Sequence, residues 1–198
     1  GATTIAQLLA AQGIHTAAAV DTPFFIRHGM NYDRGFQTFM MISGQEGSGT
    51  RLLPKLHHES RDVRAGWRGE ADCNAPRTVA AAMQWLERHY KEDFFLYVDM
   101  WDPHEPWDPP AYYVERYWPG YAGEIVQPPY AHWPDVPGFE PARIDLARAC
   151  YYGEITMVDA WLSHLLRRVE DMGLLENTAI IFTSDHGFYF GEHAGSFG

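Results

Sequence analysis

The stretch "TSDHGFYFGEH" follows directly on the apolar run "NTAIIF", so Asp185 and His186 come at the point where a buried strand should stop. An adjacent Asp-His pair at a strand end can place a carboxylate oxygen and an imidazole nitrogen on one cation, and Gly187 lets the backbone turn sharply away. The plainer alternative is an aspartate capping the following turn beside an uninvolved histidine. His104 stands between two prolines in "PHEP", an extended setting that suits an imidazole presented to a substrate anion, although a loop histidine is more often simply solvated or hydrogen-bonded. Asp99 and Asp102, just before it, read as braces of that loop, and Asp21 with Thr22 either face a cleft or end a strand. "GEHAG" does not complete an H-E-x-x-H with His186, which argues against a zinc peptidase.

These groups need elements to hold them, and a helix-then-strand order recurs three times along the chain. "TTIAQLLAAQG" predicts a short helix with Thr3 or Thr4 as N-cap, Ile5, Leu8, Leu9 and Ala11 on its buried face, and Gly13 as its stop. Residues 14–20, "IHTAAAV", predict a strand buried on both faces. Residues 24–74 read as loop with a short strand at 39–42. A second helix, "APRTVAAAMQWLERHY", puts Val79, Met83, Leu86 and Tyr90 on its core side, and Cys73 falls in the loop before it. "FFLYV", residues 94–98, reads as a central parallel strand, and residues 103–141 as a long, ordered surface excursion rich in proline and aromatic rings. A long helix follows, with Val158, Leu162, Leu165 and Val169 on its core stripe, Gly153 as a point of kinking and Gly173 as its end. Residues 179–183 predict the last strand.

That order argues for an α/β fold with a mostly parallel central sheet and helices on both faces. Ligands of such sheets bind beyond the carboxyl ends of the strands. The three strands end at Asp21 and Thr22, at Asp99, Asp102 and His104, and at Asp185 and His186, so their convergence is the sequence argument for a site.

Composition narrows the partners. The 26 acidic and 15 basic residues give a formal charge of −11, which opposes binding to a nucleic-acid backbone. No run of about 18 apolar residues appears, so no membrane-spanning helix is expected. The two cysteines, Cys73 and Cys150, are too few for a disulfide framework and lack zinc-site spacing.

Three blocks taken together, "TTIAQLLAAQGIHTA", "FFLYVDMWDPHEPWDPP" and "YYGEITMVDAWLSHLLRRVEDMGLLENTAIIFTSDHGFYFGEH", resemble the sulfatases of the alkaline-phosphatase superfamily. The resemblance implies an alkaline-phosphatase-like fold, with residues 1–198 as part of a single catalytic domain whose nucleophile segment lies upstream of Gly1 and whose carboxyl part lies beyond Gly198. It implies that Asp185 and His186 hold a divalent metal, most often Ca2+, with Mn2+ or Zn2+ admitted by the imidazole. His104 would contact the sulfate or protonate the leaving oxygen. Thr22 and His193 would be further substrate contacts. The rings of residues 107–133 would wall the cleft and stack on a sugar or aryl group. The family nucleophile is a formylglycine made from a C/S-x-P-x-R motif, which neither Cys73 nor Cys150 matches. The implied activity is hydrolysis of a small-molecule or glycan sulfate ester. "VDTPFFIRHGMNYDRGF" replaces the family's G-K-W-H block and resembles relatives that cleave phosphonate or phosphate esters, so that activity is one alternative; an inactive, sulfated-glycan-binding relative is another.

Overall fold

A strand without polar side chains can be covered on both sides, and "TAAAV" has small enough side chains to let helices approach closely. In the computed structural model, which describes residues 2–22, 26, 29–42, 66–138, 140–193 and 195–198, this segment lies in β1 (His15–Val20). Ala17, Ala18, Ala19 and Val20 are fully buried there. β1 is the middle strand of a parallel three-stranded sheet, flanked by β2 (Thr38–Met41) and β3 (Phe94–Asp99). The register sets Val20 opposite both Met41 and Asp99, which brings the carboxyl ends of the strands level.

The described residues fall into two compact units: residues 1–101 with 161–177, and residues 102–160 with 178–198. The first holds the sheet, α1 (Ile5–Ala10) and α2 (Asn74–His89), both of which pack on β1. α1 starts on a capping box in which the Thr4 hydroxyl accepts the Gln7 N–H and the Gln7 side chain accepts the Thr4 N–H. Its buried residue is Ala6, while Ile5 and Leu8 are 62% and 59% exposed, against the expected apolar face. The reason is the backbone at Gly35: a Cβ there would stand 2.7 Å from the Ala6 carbonyl carbon, so only small groups fit the contact. α2 buries Ala75, Val79, Ala82, Trp85 and Leu86, while Met83 is half-buried and Tyr90 exposed.

β3 is not central, as its sequence predicts, but flanks β1 among the described residues, with Tyr97 38% exposed. The expected strand at 179–183 is also corrected. Those residues join no ladder among the described residues, and Ile181 and Phe182 are 88% and 81% exposed. β-prone composition alone does not make a strand, because the hydrogen bonds come from a neighbour.

The second unit is built on aromatic rings. Its elements are α3 (Ala111–Val114) and a small antiparallel pair, β4 (Ala131–His132) with β5 (Ser196–Phe197). Trp107, fully buried, is its centre: its ring packs against Tyr151, Phe188, Phe190 and Phe197, and its indole N–H donates to the Pro103 carbonyl at 3.1 Å. The segment 103–141 is therefore ordered as expected but forms a core and not a surface excursion, since Trp107, Val114, Tyr121 and Val126 bury together. Trp107→Ala is expected to cost about 3–5 kcal/mol of stability, measured by urea unfolding of the full-length protein; a loss below about 1 kcal/mol would show that the aromatic cluster does not hold this unit.

The long helix α4 (Ala142–Asp171) contributes residues to both units and passes Gly153 without a break. Gly153 serves close packing: a Cβ there would stand 2.9 Å from a Val114 methyl and 3.1 Å from the Pro109 ring. In the first unit the end of α4 packs Val169 and Leu165 with Leu86, Leu174 and Phe94.

Candidate active site

The carboxyl ends of β1 and β3 meet as the parallel order requires. Thr22 donates its hydroxyl to an Asp99 carboxylate oxygen, and Tyr97 donates its phenol to the other. Asp21 is fully buried beside them. It accepts the Trp101 N–H at 2.6 Å and the Thr78 hydroxyl at 2.7 Å, so it braces the loop after β3 against α2 and ends the strand. Burial is the main cause that pushes its carboxyl up to about 7, outweighing the two hydrogen bonds that favour the anion.

This has a consequence for stability. Asp21 keeps its proton in the folded chain to about pH 7 and loses it near 3.8 when unfolded. Its contribution is complete below about pH 4 and is lost as pH rises to about 7, at up to about 1.4 kcal/mol per pH unit. In Asp21→Asn, the amide can still accept from Trp101 and donate to the Thr78 oxygen. The variant should therefore flatten the urea midpoint between pH 4 and 7; an unchanged slope would remove Asp21 as its source.

The second unit gathers the histidines. His104 and His186 come within 6.0 Å of each other, ring centroid to centroid, and Phe188 packs edge-on against both, at 5.1 and 5.9 Å. They border an open cavity of about 550 Å³ whose lining also includes Tyr130, Gly187, Phe188 and Tyr189. His104 Nδ1 lies 2.7 Å from Glu105 Oε2. Glu105 is itself buried, accepts from Gln127 Nε2 at 3.2 Å and holds Tyr130 by a hydrogen bond. Burial, then the Glu105 carboxylate, raise the Tyr130 phenol far above its ordinary value, so Tyr130 stays a neutral donor. One buried carboxylate thus orients both the imidazole and the phenol.

His186 lines the cavity with its side chain 57% exposed, and Asp185, 88% exposed, stands beside it and outside the lining. His186 Nδ1 is 3.1 Å from the Gly187 carbonyl, which requires the proton on Nδ1. His186 Nε2 lies 3.5 Å from Asp185 Oδ2. A carboxylate oxygen and an imidazole nitrogen side by side are the ligand types of half a cation site.

Of the sequence-derived candidates, His104, Asp185 and His186 are thus brought together. His193 stacks edge-on to Tyr189 at 4.5 Å and is not part of the lining. Thr22 belongs to the first unit, and Phe24 lies outside the described residues. In "GEH", Glu192 accepts the Phe190 N–H at 2.5 Å and meets Arg148 at 3.4 Å, so it fastens its own turn. Of the rings between 107 and 133, Tyr130 lines the cavity as expected, beside Phe188 and Tyr189, whereas Trp107 is core and Trp118 and Trp133 pack against it. Glu105 and Tyr130 escaped the sequence reading. Glu105 was visible as the neighbour of His104, whereas nothing in the order of residues joins Tyr130 to it.

Residues 1–198 match the sulfatase family model over their whole length. The chain belongs to the sulfatase family. This sulfatase chain is similar to the arylsulfatase of Clostridium perfringens, at 30% identity over 120 residues, covering 54% of this chain and 24% of that protein. It is similar to the human N-sulphoglucosamine sulphohydrolase, at 33% identity over 130 residues, covering 59% of this chain and 26% of that one. Among solved structures, the phosphonate monoester hydrolase of Agrobacterium radiobacter superposes with a TM-score of 0.66 at 16% identity, over 96% of this chain and 48% of that one. That likeness shows the shared α/β fold. The sulfatase chain thus spans about a quarter of the length of these two sequence relatives.

Proposed function

We propose that this protein is a metal-dependent sulfuric ester hydrolase acting on a small-molecule or glycan sulfate ester. The observation that carries the reading is the meeting of His104 with His186 at one open cavity, with Asp185 beside His186, in a chain of the sulfatase family. The names of the two sequence relatives, an arylsulfatase and an N-sulphoglucosamine sulphohydrolase, support the substrate class.

In this reading Asp185 and His186 hold a divalent cation, Ca2+ by family resemblance, with Mn2+ or Zn2+ compatible with the imidazole. When bound, the cation would polarise and neutralise the ester oxygens. His104, oriented by Glu105, donates to the sulfate or protonates the leaving oxygen, while neutral Tyr130, whose phenol proton is given to Glu105, forms part of the same wall. Thr22 and His193 are the further candidates for substrate contact. The nucleophile, a formylglycine, is assigned upstream of Gly1. Cys73 and Cys150 are 3% and 0% exposed, which leaves neither open to a substrate.

The full-length protein should release inorganic sulfate and nitrophenol from nitrophenyl sulfate in equal amounts, and chelator treatment followed by gel filtration should remove that activity until divalent metal is restored. Absence of sulfate release from metal-replete protein would overturn the proposal.

A further inference from the structure

A second cluster of metal-ligating side chains lies in the first unit, at the amino end of β1. His15 opens that strand, His89 closes α2, and Glu92 sits in the short connection to β3. The carboxylate bridges the two imidazoles: His15 Nδ1 lies 2.5 Å from Glu92 Oε2, and His89 Nδ1 lies 2.9 Å from Glu92 Oε1. One ligand atom from each residue falls within 4.8 Å of the other two. The hydrogen bonds from His15 and then His89 hold the Glu92 carboxyl below its usual range, so the site carries the anion.

We infer that His15, His89 and Glu92 form a binding site for a borderline-soft divalent cation of the zinc type. Two imidazole nitrogens and one carboxylate oxygen are a donor set that zinc takes, with water completing the coordination, and a set dominated by two imidazoles does not suit calcium or magnesium. The geometry is largely set before any ion arrives. The His15 amide donates to the Asp93 carbonyl at 2.8 Å and the Glu92 amide to the His89 carbonyl at 2.9 Å, which fix two of the three backbones. Trp85, 3% exposed, stacks on His89 at 4.6 Å and stands edge-on to His15 at 5.2 Å, which limits both rings. The side chains of His15 and His89 are 24% and 25% exposed and that of Glu92 is 47% exposed, so an ion can enter and keep its waters. Small side-chain rotations bring the three atoms to zinc distances of about 2.0–2.2 Å. Bound there, the cation joins the start of β1 to the α2–β3 connection, two segments far apart in sequence, and acts as a stabilising clip.

The test uses the full-length protein, stripped with a chelator and titrated with Zn2+ by calorimetry and with Co2+ by visible absorption. Wild type is compared with Glu92→Gln, His89→Ala and a double Asp185→Ala, His186→Ala variant. We expect one equivalent of Zn2+ that survives in the double variant and weakens at least tenfold in Glu92→Gln and His89→Ala. The Co2+ ligand-field band of the double variant should vanish when Glu92→Gln or His89→Ala is added to it, and zinc should raise the melting temperature of the double variant but not once Glu92→Gln is added. Glu92 is exposed, so Glu92→Gln keeps the fold and carries the test even if His89→Ala does not. Zinc affinity unchanged in Glu92→Gln, zinc lost only with Asp185 and His186, or no saturable binding would each overturn the inference.

Discussion

Alanine at position 104 should lower kcat on an aryl sulfate by about 10²–10³, with a much smaller change in KM. The size follows from how firmly the imidazole is held. His104 faces the buried Glu105 carboxylate at 2.7 Å and packs against Phe188, so the ring is fixed before substrate arrives. A donor placed in advance acts mainly on charge that develops in the transition state, and its removal shows in kcat. The fold should survive, because the side chain is 22% exposed and the unit is held by the Trp107 cluster. Steady-state kinetics on purified full-length protein, with circular dichroism as the control, decides the point. A change confined to KM would reduce His104 to a binding contact.

The largest effect is expected for the double variant Asp185→Ala, His186→Ala. Removing both donors should take away the cation assigned to them and with it several kcal/mol of transition-state stabilisation, about 10³-fold or more in kcat/KM. Stability should hardly change, since both side chains are exposed and their contacts are local: Asp185 accepts the His186 N–H at 2.9 Å, and His186 reaches the adjacent Gly187 carbonyl. Metal content by elemental analysis, read beside activity, gives the check. A variant that keeps both its metal and its rate would remove the pair from the site.

The sheet was legible because its signals are local. Residues 17–20 carry no polar group, Gly13 takes the positive φ that stops α1, and Thr4 closes a capping box with Gln7 three residues on. What escaped the sequence is set by contacts distant along the chain. Ile5 and Leu8 have the pattern of a buried face, yet the approach of Gly35 selects Ala6. The apolar run at 179–183 announces a strand without naming a partner, and none lies among the described residues. Trp107 reads equally as a cleft wall or a core residue, and only the surrounding phenylalanines decide. For the site, residue type and strand-end position were enough to single out His104, Asp185 and His186. The meeting of His104 and His186 across 82 positions of chain, and the joining of His104 and Tyr130 through Glu105, required the fold. His15, His89 and Glu92 were beyond sequence reading for the same reason: a parallel strand start and a helix end become neighbours only once the sheet forms.

The most direct test of the central claim is a matched pair of substrates, a nitrophenyl sulfate and a nitrophenyl phosphonate, given to the metal-replete full-length protein and to the Asp185→Ala, His186→Ala variant. The account predicts a higher kcat/KM for the sulfate, with both activities collapsing together in the variant. A higher kcat/KM for the phosphonate, or sulfate hydrolysis that persists without Asp185 and His186, would contradict it.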